Sequence, residues 1–113
     1  MIVTYGRITA EVVKAAEMSD KKIKVIKLLK IHPVDFDLVL SHAGGAKILV
    51  VEEGIKRGGV GEALAAAAGQ ADYNNTVSIH ALQNGFVPHG DLESIKELCG
   101  FTAEKIADII AKM

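Results

Sequence analysis

Continuous apolar runs alternate along this chain with stretches whose apolar residues recur every three to four positions. Ile2-Val3-Thr4-Tyr5 is a short β-prone run that Gly6 ends. From Ile8 to Met18, the residues Ile8, Val12, Ala15 and Ala16 share one face while Arg7, Glu11, Lys14 and Glu17 fall elsewhere, which predicts a helix. Ile23 to Leu29 is β-rich, although Lys24 and Lys27 interrupt it and Pro33 closes it. Asp35 is the expected N-cap of a helix from about Phe36 to His42, with Gly44-Gly45 as its stop. Ala46 to Val51 is apolar without alternation, as in a parallel strand covered on both faces. A helix over about Val60–Gln70 and a strand over Thr76–Leu82 follow. A short helix from Asp91 or Leu92 to Leu98 is broken by Gly100, and a last helix runs from the Thr102 cap to Lys112.

The predicted order is β-α-β-α-β-α-β-α-α. Strands alternating with helices imply right-handed parallel crossovers, and so an α/β fold with a three-layer α/β/α sandwich. Ligands in such sheets sit beyond the carboxyl ends of the strands. Tyr5-Gly6-Arg7, Leu29 to His32, Glu52-Glu53, Leu82-Gln83 and the glycine cluster Gly58-Gly59-Val60-Gly61 are all expected at that edge.

With 113 residues, one domain spanning 1–113 is expected. Thirteen basic residues against fourteen acidic ones leave a net charge of −1, which gives the whole chain no pull toward nucleic acid or an anionic membrane. The longest apolar run, Ala63 to Ala68, is far below the ~18 residues of a membrane span. The single cysteine, Cys99, cannot build an internal disulfide framework. With no basic-then-apolar leader at the start, the expected location is the cytoplasm.

The candidate chemistry concentrates between Val51 and Glu62. The cluster Gly58, Gly59 and Gly61 could cradle a phosphate on backbone N–H groups, with Lys56 and Arg57 close by. A dinucleotide fingerprint would have a third glycine where Leu64 stands, and no lysine follows as in a P-loop. Close packing of the helix, with Gly59 as its packing device, is therefore the stronger reading. Glu52 and Glu53 are adjacent carboxylates, and neighbours on a strand point to opposite faces. They are expected not to share a site: one forms a salt bridge and the other faces solvent, or else one orders the Lys56-Arg57 loop or a neighbouring domain. His32, His42, His80 and His89 lack metal-ligand spacing. His80 reads as a hydrogen-bonded strand residue and Cys99 as a small core residue, while His89 in Pro88-His89-Gly90-Asp91 stands out as a loop candidate. Lysines 21, 22, 24, 27 and 30 read as protection of a sheet edge.

Taken together, these segments resemble the C-terminal domain of transketolase-like, thiamine-diphosphate-dependent enzymes. The residues that carry the likeness are Val3-Thr4-Tyr5-Gly6, Lys30-Ile31-His32-Pro33-Val34-Asp35, and Val51-Glu52-Glu53-Gly54 with Gly58-Gly59-Val60-Gly61. The tail, Phe86-Val87-Pro88-His89-Gly90-Asp91 and Leu98 to Ile106, looks most like the 1-deoxy-D-xylulose-5-phosphate synthase family. The chain departs from that family at Gln83-Asn84-Gly85, where an isoleucine-proline-aspartate step is usual.

The resemblance implies that the full enzyme condenses pyruvate with glyceraldehyde 3-phosphate, using thiamine diphosphate and magnesium held by two preceding domains. None of their motifs occurs here, so no catalytic, cofactor or metal residue is carried over. The implied role is structural and interface-forming, with those thiamine-binding domains as partners in the same or a separate chain. Interface or active-site-facing candidates are His32, Glu52, Glu53, Arg57, Gly58, Gly59, Gly61 and His89. The resemblance also implies a sheet in the order 2-1-3-4 that lacks the family's first, antiparallel strand. The chain would then be a fragment with Ile23–Leu29 as a bare edge, open to homo-oligomer formation. Two rival readings remain: a docking module like that ending the β subunits of 2-oxoacid dehydrogenases, and a small-ligand binder built on the glycine junction.

Overall fold

The structure of the protein, a computed structural model, describes residues 1–82 and 92–113. The expectations for Gln83 and for Phe86–Asp91, His89 among them, lie outside the described residues. Strand β1 (Ile2–Thr4) leads through a 3-10 turn (Gly6–Ile8) into α1 (Thr9–Glu17). Then come β2 (Val25–Lys27), α2 (Phe36–Ala43), β3 (Ile48–Ile55), α3 (Val60–Gln70), β4 (Val77–Leu82), α4 (Leu92–Cys99) and α5 (Ala103–Ala111). The four strands form one sheet in the order β2-β1-β3-β4, and every pairing is parallel.

The alternation of β3 builds the layers. Leu49 and Val51 enter one core with Ile8, Val12, Phe101, Ile106 and Ile110, beneath α1 and α5. Ile48 and Val50 enter the other with Val39, Leu40, Leu64 and Ala68, beneath α2 and α3. Ile48 through Val51 are at most 1% exposed, which is the double covering that an unbroken apolar run requires.

The local signals act as their chemistry dictates. The Asp35 carboxylate accepts the Leu38 N–H at 3.0 Å, and Gly44 ends α2 in the left-handed conformation. Thr102 caps α5 by accepting the Lys105 N–H, while the Ala103 N–H donates to Glu11 of α1 at 3.0 Å.

Two strands differ from their expected bounds by more than one residue. β2 keeps only Val25–Lys27, because its one partner among the described residues is the three-residue β1, registered from Ile2↔Val25 to Thr4↔Lys27. β3 runs past Val51 to Ile55, because β4 is long enough to pair with it again after an irregularity between Val51 and Ile55. That extension carries Glu52 and Glu53 within the strand.

Candidate functional site

The register of the sheet builds the site. Thr4 lies opposite Val51, so Tyr5 and Glu52 emerge side by side at the carboxyl edge. Glu52 is fully buried. Its Oε1 accepts the Tyr5 hydroxyl at 2.8 Å and the Val60 N–H at 3.1 Å, and its Oε2 accepts the Gly61 N–H at 2.7 Å. A carboxylate on the first-turn amides of α3 is favoured both by the unsatisfied N–H groups and by the helix dipole. The anion at the glycine junction is thus the chain's own Glu52. Burial first, and then the hydrogen bond and charge of Glu52, push the Tyr5 hydroxyl up to about 12.

The glycines have separate duties. Gly58 has φ +77, the left-handed region that disfavours side chains, and its N–H donates to Glu62 at 2.8 Å. Gly59 is the N-cap of α3 with φ −81 and ψ −179, an extended backbone open to any residue. A close approach of helix to sheet is made at Gly61. A Cβ there would stand 2.8 Å from Ile79 Cγ2 and 2.9 Å from Glu52 Oε2.

The two glutamates do diverge. Glu53 forms a salt bridge with the exposed Arg7, Nε to Oε2 at 2.9 Å. Glu52 does not face solvent, which corrects the simpler expectation for the pair. By holding the first turn of α3 it orders the loop that carries Lys56 and Arg57, the other role considered for a glutamate here.

His32, Glu52, Arg57, Gly58 and Gly59 all line one cleft of about 530 Å³ at the carboxyl edge of the sheet. Tyr5 forms part of its lining, as does Pro33, which follows a cis peptide bond. Gly61 is buried within α3, and Glu53 is bound to Arg7. The pairing of Tyr5 with Glu52 is the feature that sequence reasoning did not find. Its signal was available: both residues directly follow paired strand positions.

The remaining candidates have structural surroundings. His80 Nε2 lies 2.8 Å from the Gly100 carbonyl, and its ring meets Phe101 edge-on at 5.0 Å. Cys99 packs against the core under α1 and α5. Among the described residues no group of three histidine, cysteine or acidic side chains could hold a metal ion, and no helix is long and apolar enough to cross a membrane.

A parallel sheet in this order, its carboxyl edge closed by a buried glutamate on a glycine-rich helix start, defines a class. The chain belongs to the transketolase C-terminal domain family, whose model matches residues 1–106. It is similar to the 1-deoxy-D-xylulose-5-phosphate synthases of Nitrosococcus oceani, at 32% identity over 93% of this chain and 16% of the relative, and of Methylibium petroleiphilum, at 35% over 98% and 17%. Among solved structures it is similar to a split gene transketolase described as an inactive beta4 tetramer. There the TM-score is 0.84 and the identity 25%, over 98% of this chain and 37% of that one. The chain therefore spans about one sixth of the length of these synthase relatives.

Proposed function

We propose that residues 1–113 act as one domain, the C-terminal domain of a 1-deoxy-D-xylulose-5-phosphate synthase. In this reading the chain is soluble and cytoplasmic. The complete enzyme joins pyruvate to glyceraldehyde 3-phosphate with loss of carbon dioxide, supplying an isoprenoid and thiamine precursor. Thiamine diphosphate supplies the carbanion chemistry when bound, with magnesium, to the preceding domains. The described residues of this chain do not fit that cofactor. The helix start best placed for a diphosphate is filled by Glu52, and no metal-holding cluster accompanies it. No step of the reaction is assigned to this chain, whose part is to pack against the thiamine-binding domains.

The observation that carries this reading is the buried Glu52. The most eventful junction in the chain is closed by an internal carboxylate, as suits a packing element. The test is reconstitution. The purified chain alone is expected neither to bind thiamine diphosphate nor to consume pyruvate. Mixed with a polypeptide carrying the two preceding domains of a related synthase, it is expected to co-elute and to raise turnover. Turnover by the chain alone, or no association at all, overturns the proposal. The likeness to a split gene transketolase supports a second reading, a transketolase subunit, and product analysis of the reconstituted enzyme separates the two.

A further inference from the structure

The cleft at the carboxyl edge has a feature that packing leaves unexplained. Pro33, Val34 and Phe36, around the start of α2, line it together with Val60 and Ala63 of α3. Its volume of about 530 Å³ falls in the range of small-molecule sites. The Tyr5–Glu52 pair in its lining is internally satisfied, and the Val60 and Gly61 amides are occupied. An anion therefore cannot settle on the start of α3, and the Glu52 charge repels it from that end.

Arg57 is different. It lines the cleft, is exposed, and makes no side-chain hydrogen bond or ion pair among the described residues. The nearest acids in sequence are engaged elsewhere, Glu53 with Arg7 and Glu62 with the Gly58 N–H. His32 lines the same cleft and is likewise exposed. A planar guanidinium is suited to bidentate capture of an oxyanion.

We infer that this cleft is a binding site for a small molecule with an apolar body and an oxyanion head, the body lying against Phe36 and Val60 and the head on Arg57. The inference does not depend on the reaction proposed above. Phosphomonoesters and carboxylates share the required head chemistry.

The test is a titration of the isotope-labelled 113-residue chain, followed by amide NMR shifts, with phenyl phosphate and phenylacetate as probes. Inorganic phosphate and benzyl alcohol are the controls. At least one oxyanion probe should give saturable shifts confined to residues 31–36 and 57–63, and the tighter of the two identifies the head group. Inorganic phosphate should bind about tenfold more weakly, because it buries no apolar surface. Arg57→Gln should weaken the oxyanion probe about fivefold and leave benzyl alcohol unchanged. Ala63→Leu, at an exposed helical position, should fill the cleft and abolish binding of every aromatic probe. Shifts that never saturate, inorganic phosphate matching phenyl phosphate, or wild-type binding by both variants would each overturn the inference.

Discussion

Glu52 Oε2 accepts the Gly61 N–H at 2.7 Å, and a methyl group on Gly61 would stand 2.9 Å from that same oxygen. The hydrogen bond and the missing side chain are one device. The helix comes close enough to the strand to take up a carboxylate only because nothing projects from position 61. Gly61→Ala should therefore destabilise the fold, although alanine is the better helix former by about 1 kcal/mol. Crowding of Ile79 and Glu52 should cost about 1–3 kcal/mol and outweigh that gain. Thermal melts of Gly61→Ala, alone and in a double-mutant cycle with Ile79→Ala, which removes both crowding Cγ atoms, check the balance. An unchanged midpoint would refute the close approach.

The two adjacent glutamates should respond very differently. Glu52→Gln keeps the shape but removes the charge and turns an NH₂ toward a backbone donor, at a cost of about 2–4 kcal/mol. Glu53→Gln breaks only a surface pair with Arg7 and should change stability by less than about 1 kcal/mol. Urea denaturation of both variants measures the contrast.

Tyr5 ties stability to alkaline pH. An unfolded tyrosine ionises near about 10, whereas Tyr5 is held protonated up to about 12, chiefly by burial and then by Glu52. The folded state thus keeps a proton that the unfolded state gives up. This contribution to stability is complete below about pH 10 and is lost as the pH rises through about 12. Denaturation curves between about pH 9 and 12 should show the fall, and Tyr5→Phe should flatten it. Tyr73, whose hydroxyl burial also raises, is present in both proteins and cancels.

The start of α5 is held from two directions, by Thr102 and by Glu11 of α1. Thr102→Ala should cost about 1 kcal/mol as an ordinary cap loss. Glu11→Gln weakens a charge-assisted bond and also removes the charge that meets Lys96 at 3.6 Å. A double-mutant cycle should give coupling above the roughly 0.5 kcal/mol of independent sites, because both side chains serve the same helix terminus.

Much of this was legible in the residues. The unbroken Ile48–Val51 run announced a doubly covered strand, Asp35 announced the start of α2, and Gly44 its end. Tyr5, His32, Glu52 and Gly58-Gly59-Val60 meet in one cleft as their expected carboxyl-edge placement requires, because topology alone sets which strand ends point that way. The destination of Glu52 was not legible. The rule that strand neighbours face apart separates it from Glu53 but is silent about a partner eight or nine positions on. Tyr5, 47 positions away, becomes its neighbour only through the β1–β3 register. The length of β2 was hidden for a similar reason: a strand's extent depends on its partner, and β1 has only three residues to offer.

The edge strand β2 has one further consequence. Lys27 and nearby Lys30 are exposed, and among the described residues neither meets an acidic side chain, while Lys24 reaches the His42 carbonyl. Two molecules approaching rim to rim bring like charge against like charge, a force that reaches about 10 Å at 0.1 M salt and only about 3 Å at 1 M. Ionic strength thus works as a dial on this surface: dilute buffer holds the molecules at arm's length, and concentrated salt lets their edge strands approach each other.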